Sequence, residues 1–452
     1  MNIIIIGAGA LGVRLAEILL DEDHNITIIE KDESKVDKLV ETYDIQGVAG
    51  LATHCDVLRE AGVKESDLVI ATTPSDENNI LACLIAKKMG VSNTIARVRN
   101  PEYATQMNFM REELGVSLMV NPDLSAALEI YRTLQFPSTI NVESFSNGRI
   151  DIAGIKITDE SPLCNRKLFE FSDKFSGNFI ICAVSRGHEV YIPNGDFTIL
   201  PGDTVHVTGS HKSLGKIAKE LSGKKAKMLK KIMIIGGSRI SIYLSNMLAS
   251  IGKDVIVIEP NKDRCDKLFE FCPKATVING DYNDYSLLLK EGIESMDAVV
   301  TLSDYDETNF LVSMFSESVN VKKNITKVNS QNLVKMLNTM DMDSYVNVPE
   351  ITCDAICQYV RAKKSVSSAS MKTLYKLVDG KIEASEFVAG DDTKFLGKQL
   401  NTIKMKNNVL IAAVTKKNKI IFPSGNDVIE SGDRVVIVSK GSIIYSLNDI
   451  LA

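Results

Sequence analysis

Short runs of β-branched and aliphatic residues alternate along this chain with longer stretches whose apolar positions recur every three or four residues. Over the first 120 residues the runs IIIIG, ITIIE and DLVIATT are separated by the helical patterns VRLAEILL, KVDKLV and NILACLIAKKM. That rhythm predicts βαβ units, and so a parallel sheet covered by helices on both faces. The next 85 or so residues are strand-rich, and turn signals such as PNGD and LPGD predict a small α+β domain.

The pattern then starts again. Aligning Gly7 with Gly236 sets an offset of 229, and ITIIEKDESKVDKL (26–39) falls on VIVIEPNKDRCDKL (255–268), with Glu30 on Glu259. After one residue of slippage, SDLVIATTPSDENNI (66–80) falls on MDAVVTLSDYDETNF (296–310), placing Asp76 on Asp306 and Asn79 on Asn309. The small domains follow suit, with Pro193 on Pro423 and Gly202-Asp203 on Gly432-Asp433. A repeat of about 225 residues means duplication of a two-part unit, far longer than a solenoid repeat.

The expected order is therefore a Rossmann-like domain (1–120), a connecting helix (121–138) and a small α+β domain (139–222). A lysine-rich linker (223–231) leads to a second Rossmann-like domain (232–347), connecting helix (348–366) and small domain (367–452). In the first connector, Asn121 suits the cap and Pro122 the first helical position, while Leu124, Leu128 and Tyr131 share one face.

Composition narrows the function. The chain of 452 residues is 44% hydrophobic and 24% charged, with a formal net charge of −6. No apolar run approaches the roughly 20 residues needed to span a bilayer, and the N-terminus lacks a basic n-region, so a cytoplasmic protein without direct membrane insertion is expected. Scattered basic residues argue against nucleic acid. Eight cysteines without a CxxC read as buried small hydrophobes, including Cys353 and Cys357 on one helical face. The consecutive His54, Cys55 and Asp56 make a poor metal set, and no metal site is expected.

Candidate chemistry concentrates in the first lobe. Gly7, Gly9 and Gly12 form G-x-G-x-x-G between a strand and a helix, where backbone N–H groups and the helix dipole favour a pyrophosphate. Glu30, at the end of the second strand, stands where a carboxylate accepts from ribose hydroxyls. Thr72, Thr73 and Pro74 end a strand at the crevice, or else form an ordinary turn capped by Asp76; Arg97 and Arg99 alternate on a short strand, so that one of them reaches a phosphate, or else they pair on the surface. In the second lobe Ser238 and Ser241 replace two glycines, Lys327 replaces Arg97 and Asn329 replaces Arg99, which points to a weakened or altered site. The five histidines occupy no repeated positions, so no acid–base group accompanies the cofactor fold and no enzyme is expected. An NAD-dependent oxidoreductase is the alternative, and a ligand-binding transcription or redox sensor a third class.

The glycine-rich turn, Glu30, ATTPSDENN, IARVRN and the paired C-terminal domains with their Gly-Asp turns together resemble the regulator-of-potassium-conductance family over essentially the whole chain. The resemblance implies a cytosolic regulatory subunit that binds NAD(H) or ATP/ADP, associates into a ring expected to be a homotetramer, and gates a membrane potassium-transporting subunit. Carried over residue by residue, Gly7, Ala8, Gly9, Ala10 and Leu11 cradle phosphates, Glu30 holds ribose, and Thr73 and Pro74 line the crevice. Arg97 meets a phosphate or a neighbouring subunit's ligand, and Gly12, Thr53 and Arg99 complete the first set. In the second lobe Gly236, Gly237 and Glu259 match.

Overall fold

The computed structural model describes residues 1–104, 106–135, 139–145, 150–171, 179–187, 189–209, 213, 214, 217, 220, 221, 229–330, 332–334, 344–364, 373–377, 381–417, 419–441 and 444–452. His188, His211, residues 223–228 of the expected linker and the last residues of both expected connecting segments lie outside this set.

Six parallel strands form the first sheet: β1 (Asn2–Ile6), β2 (Asn25–Glu30), β3 (Gln46–Ala49), β4 (Leu68–Ala71), β5 (Asn93–Arg97) and β6 (Leu118–Val120). Their order is 3-2-1-4-5-6, the doubly wound arrangement whose ligand crevice opens at the carboxyl ends of β1 and β4. The central strands are buried on both faces, which explains their unbroken runs of Ile, Leu and Val. The second lobe repeats the order with Lys231–Ile235, Asp254–Glu259, Thr276–Asn279, Ala298–Thr301, Asn324–Lys327 and Tyr345–Val346. The expected α/β class with parallel Rossmann-like sheets is thus the observed one.

Each small domain is a five-stranded antiparallel sheet of matching topology. In the first, Thr139–Phe145, Ile150–Lys156, Thr204–Gly209, Phe179–Arg186 and Glu189–Tyr191 lie side by side. In the second the order is Thr373–Leu377, Ile382–Val388, Arg434–Ser439, Val409–Lys416 and Lys419–Ile421. Both carry a register shift at the same place, between Ile181 and Ala183 and between Ile411 and Ala413. The repeated Gly-Asp turn has a clear cause: Gly202 and Gly432 both sit at φ +86°, and the following aspartates, Asp203 and Asp433, accept backbone N–H groups of Leu200 and Glu430 at 2.8 and 2.9 Å.

Compact units do not follow the sequence repeat. Residues 1–130 and 230–357 form one unit, holding both Rossmann-like lobes; residues 131–229 and 358–452 form the other, holding both small domains. Inside the first unit the lobes meet pseudo-symmetrically. Arg14, on the helix Ala10–Asp21, donates from Nε and Nη2 to Glu350 at 3.2 and 3.2 Å, while Asn121 donates to the hydroxyl of Tyr243 at 3.0 Å. Tyr243 is the counterpart of Arg14 under the 229-residue offset, so the first helix of each lobe grips the start of the other lobe's connecting helix. Inside the second unit, Ile150, Ile152, Cys182 and Ala183 pack with Ile382, Ala384, Ala412 and Val438 in one cluster.

The crevice is shaped by a buried side-chain clamp that the alignment had marked only as a match. Asn79 is fully buried; its Oδ1 accepts from the Thr73 N–H at 2.8 Å, and its Nδ2 donates to the carbonyls of Thr73 and Arg97, both at 2.9 Å. Asn309 makes the same three bonds, to Ser303 N, Ser303 O and Lys327 O, at 2.8, 3.2 and 3.1 Å. Asp76 and Asp306 each accept two successive N–H groups after the fifth strand, from Arg99 and Asn100 and from Asn329 and Ser330. Asn79→Ala therefore strands several buried polar groups and should cost about 2–4 kcal/mol, seen as a lower urea midpoint; an unchanged midpoint would mean the clamp does not hold the strands.

Candidate functional site

Three glycines introduce the helix Ala10–Asp21, and they do different work. Gly7 has φ +102°, a conformation side chains rarely adopt, and its backbone runs against Thr73. Gly12 is required by packing, because a Cβ there would be driven into the carbonyl oxygen of Gly7. Gly9 has neither reason: its φ and ψ of −80° and 178° suit any residue, and a Cβ built on it meets nothing within 4 Å. Nothing in the fold calls for a missing side chain at Gly9, so the open space beside it is the observation that asks for a ligand.

Beside that space the helix begins. Gly9 is the N-cap of the helix, and no side chain caps it. A helix start leaves its first N–H groups without intrahelical partners, and their aligned dipoles favour an anion. Gly9 and Ala10 are exposed, whereas Leu11 and Gly12 are buried and anchor the turn.

The carboxylate of Glu30, half-buried at the end of β2, braces the same turn. Its Oε2 accepts from the Ala8 N–H at 2.8 Å and its Oε1 from the Lys31 N–H at 3.0 Å. Oε1 also accepts from the Asp32 N–H at 3.4 Å, whereas Oε2 retains a further lone pair, so a ribose hydroxyl can be added there without breaking these bonds. Thr53 is half-buried in the turn after β3, at the same edge of the sheet. Thr73 donates its hydroxyl to Asn79 Oδ1 at 2.6 Å, and Pro74 beside it is exposed.

The two arginines part company. Arg97, the last residue of β5, donates from Nη2 to the Thr73 carbonyl at 2.6 Å, while its Nε is buried and has no hydrogen-bond partner among the described residues. Burial pulls its guanidinium below the ordinary range, and the like charges of Arg99 and Arg239 add to that. Arg99 lies beyond the strand end and is held by the buried carboxylate of Asp123 through Nε and Nη2, at 2.8 and 3.0 Å. Those bonds raise its pKa, and they direct its charge to the start of the connecting helix Pro122–Leu134. Asp123, 24 residues away, was not singled out in the sequence; only its place two residues after the helix cap Asn121 hinted at a role.

In the second lobe Gly236 repeats the turn at φ +97°, and the Gly237 N–H meets Glu259 Oε2 at 2.5 Å. Ser238 and Ser241 form a reciprocal capping box, and the Ser241 hydroxyl also donates to the Gly236 carbonyl at 2.5 Å. Lys327, at the place of Arg97, is buried, and desolvation lowers its pKa. Among the described residues no cluster of His, Cys, Asp and Glu is arranged to hold a metal ion. Cys353 and Cys357 are buried in the helix Val348–Lys364.

Fold and site together define a class: tandem Rossmann-like lobes, each with a glycine turn braced by a carboxylate and each followed by a small antiparallel domain. Residues 3–122 and 232–348 match the TrkA-N domain, and residues 152–222 and 384–452 match the TrkA-C domain. The chain belongs to the TrkA family. It is 31% identical to Trk system potassium uptake protein TrkA homolog 1 of Methanosarcina mazei, over 98% of this chain and 98% of that protein. It is 29% identical to Trk system potassium uptake protein TrkA of Haemophilus influenzae, over 97% and 95%. Among solved structures the GsuK channel bound to NAD shares the fold, with a TM-score of 0.64 at 18% identity, covering 97% of this chain and 77% of that one. The GsuK RCK domain does so with a TM-score of 0.63 at 18% identity, over 97% and 92%.

The roles of the glycines separate in a stability experiment. Gly12→Ala should lower the thermal midpoint, at about 1–3 kcal/mol for an overpacked turn. Gly9→Asp, which supplies a favoured N-cap residue in open space, should leave the midpoint unchanged or a few tenths of a kcal/mol higher. Equal losses in both variants would show that the fold, not a ligand, requires Gly9.

Proposed function

We propose that this chain is the cytosolic regulatory subunit of a Trk-type potassium uptake system, binding NAD(H) or ATP/ADP in the first lobe and gating a TrkH- or TrkG-like membrane subunit. The observation that carries the reading is the open space over Gly9, flanked by uncapped helix N–H groups, the carboxylate of Glu30 and the half-satisfied guanidinium of Arg97. Pyrophosphate fits the N–H groups, ribose fits Glu30, and Arg97 supplies a cation at the phosphate end. Gly7, Ala8, Gly9, Ala10, Leu11, Gly12, Glu30, Thr53, Thr73, Pro74 and Arg97 form this site; Arg99 supports it through Asp123.

Family membership supports the rest: full-length relatives are named as potassium uptake proteins, and GsuK, of like fold, is a channel whose structures include NAD-bound and ADP-bound forms. No described helix is long and apolar enough to cross a membrane; in this reading, which the Trk-system relatives support, the transport path belongs to a partner subunit. A ring of these chains, a homotetramer in our reading, sits on the inner face of the membrane through that partner. No reaction is needed. A nucleotide that binds one conformation of the ring more tightly shifts the population toward it by its differential affinity, and the pore follows.

Calorimetry with NADH, ATP and ADP tests the binding step, and co-purification with a TrkH-like subunit from detergent-solubilised membranes tests the partnership. Micromolar binding of at least one nucleotide and retention of the membrane subunit are expected. Failure of all three nucleotides to bind would overturn the sensor reading, and substrate-dependent oxidation of NADH across hydroxy acids and aldehydes would favour an oxidoreductase instead.

A further inference from the structure

The two lobes are built alike, which makes each a control for the other. At the start of the first helix the second lobe supplies side chains where the first has none. At the position of Gly9 stands Ser238, whose hydroxyl accepts the Ser241 N–H at 3.4 Å; at the position of Gly12 stands Ser241, whose hydroxyl takes the Ser238 N–H at 3.3 Å. The helix Arg239–Ser250 thus begins with the N–H groups of Ser238 and Ser241 bonded to side chains, where the helix Ala10–Asp21 begins without a side-chain cap.

The ribose end is closed as well. Glu259 is only 2% exposed, with Oε2 on the Gly237 N–H and Oε1 on the Asn261 N–H at 2.7 Å. Gly237 stands at the place of Ala8, and a Cβ there would fall 2.9 Å from both Glu259 Cγ and Leu268 Cδ1, so the turn that carries a methyl in the first lobe has no room for one in the second. Arg264 donates to Asp304 at 2.6 Å. Those two residues replace Lys35 and Pro74 of the first lobe, and they tie the helix after the second strand to the loop after the fourth.

We infer that the second lobe is liganded by its own side chains and takes no nucleotide, so that each chain holds one nucleotide, in the first lobe. Glu259 stands on the turn as Glu30 does but is buried, the serine pair takes the N–H groups of Ser238 and Ser241 at the helix start, and the Arg264–Asp304 bridge ties the helix after the second strand to the loop after the fourth. Entry of a nucleotide would require breaking a capping box and uncovering the buried Glu259, and the first lobe asks for neither. The second lobe then serves as a fixed counterpart against which the first changes.

This inference rests on the nucleotide reading above, and one experiment separates the two. Calorimetry on the full chain with NADH, ATP and ADP should give a stoichiometry of one per chain for whichever binds. Gly9→Asp places a carboxylate where phosphate would sit and should abolish that binding while the thermal midpoint is kept. Ser238→Asp makes the equivalent change in the second lobe, at another good N-cap, and should leave affinity within twofold and stoichiometry at one. Two sites per chain, or binding that survives Gly9→Asp and falls with Ser238→Asp, would overturn the inference while leaving nucleotide sensing intact. No binding of any nucleotide would remove the functional reading itself, and the open first site with it.

Discussion

A helix that starts directly after a buried strand brings a fixed demand with it: its first N–H groups have no partner inside the helix and must find one outside. The two lobes of this chain meet that demand in opposite ways. In the second, Ser238 and Ser241 meet part of it from within the chain, through a capping box. In the first, Gly9 offers no side chain, and the donors face open space. The Rossmann-like frame, the carboxylate brace and the strand clamps are common to both, so the asymmetry of the site reduces to this one difference and the residues that follow from it.

Positions kept in both halves separate cleanly from those that diverged. Gly7 and Gly236 share a positive φ, Glu30 and Glu259 brace the turn, and Asn79 and Asn309 hold the fourth and fifth strands at the same three backbone groups. These are demands of the fold. The second lobe also carries hydroxyls in its core where the first is largely apolar: Ser313 lies 2.6 Å from Thr326 and 3.2 Å from Thr301, at the places of Cys83, Ala96 and Ala71. Every one of those hydroxyls has a partner, so the lobe stays packed while its interior drifts from apolar to polar.

Much of this was legible in the sequence, because it rests on periodicity and on spacing. The β-branched runs gave the strands, the glycine motif located the turn, and the offset between halves exposed the duplication. What stayed hidden depends on partners distant along the chain. Asp76 reads as a helix cap, yet its carboxylate gathers two N–H groups beyond β5; Arg99 reads as a phosphate ligand or an ion-pairing residue, and only the structure shows Asp123 as the partner that holds it. The pairing of like domains is equally invisible, since the repeat suggests one lobe with its own small domain, whereas the compact units gather lobe with lobe. Arg14 and Tyr243, unrelated in chemistry, occupy equivalent places and make equivalent contacts. The asymmetry of the turns could be seen as missing glycines, but only geometry shows which of the three glycines the fold can do without.

Glu30 ties the two roles of the first lobe together. Its carboxylate already braces the glycine turn, so a ribose that bonds to it also acts on the backbone beneath the phosphates. Hydrogen exchange of the full chain with and without NADH, ATP or ADP tests this account most directly. Strong added protection is predicted at residues 8–13 and 30–32, with residues 237–242 unchanged. Protection of the second turn, or none at the first despite binding, would contradict it.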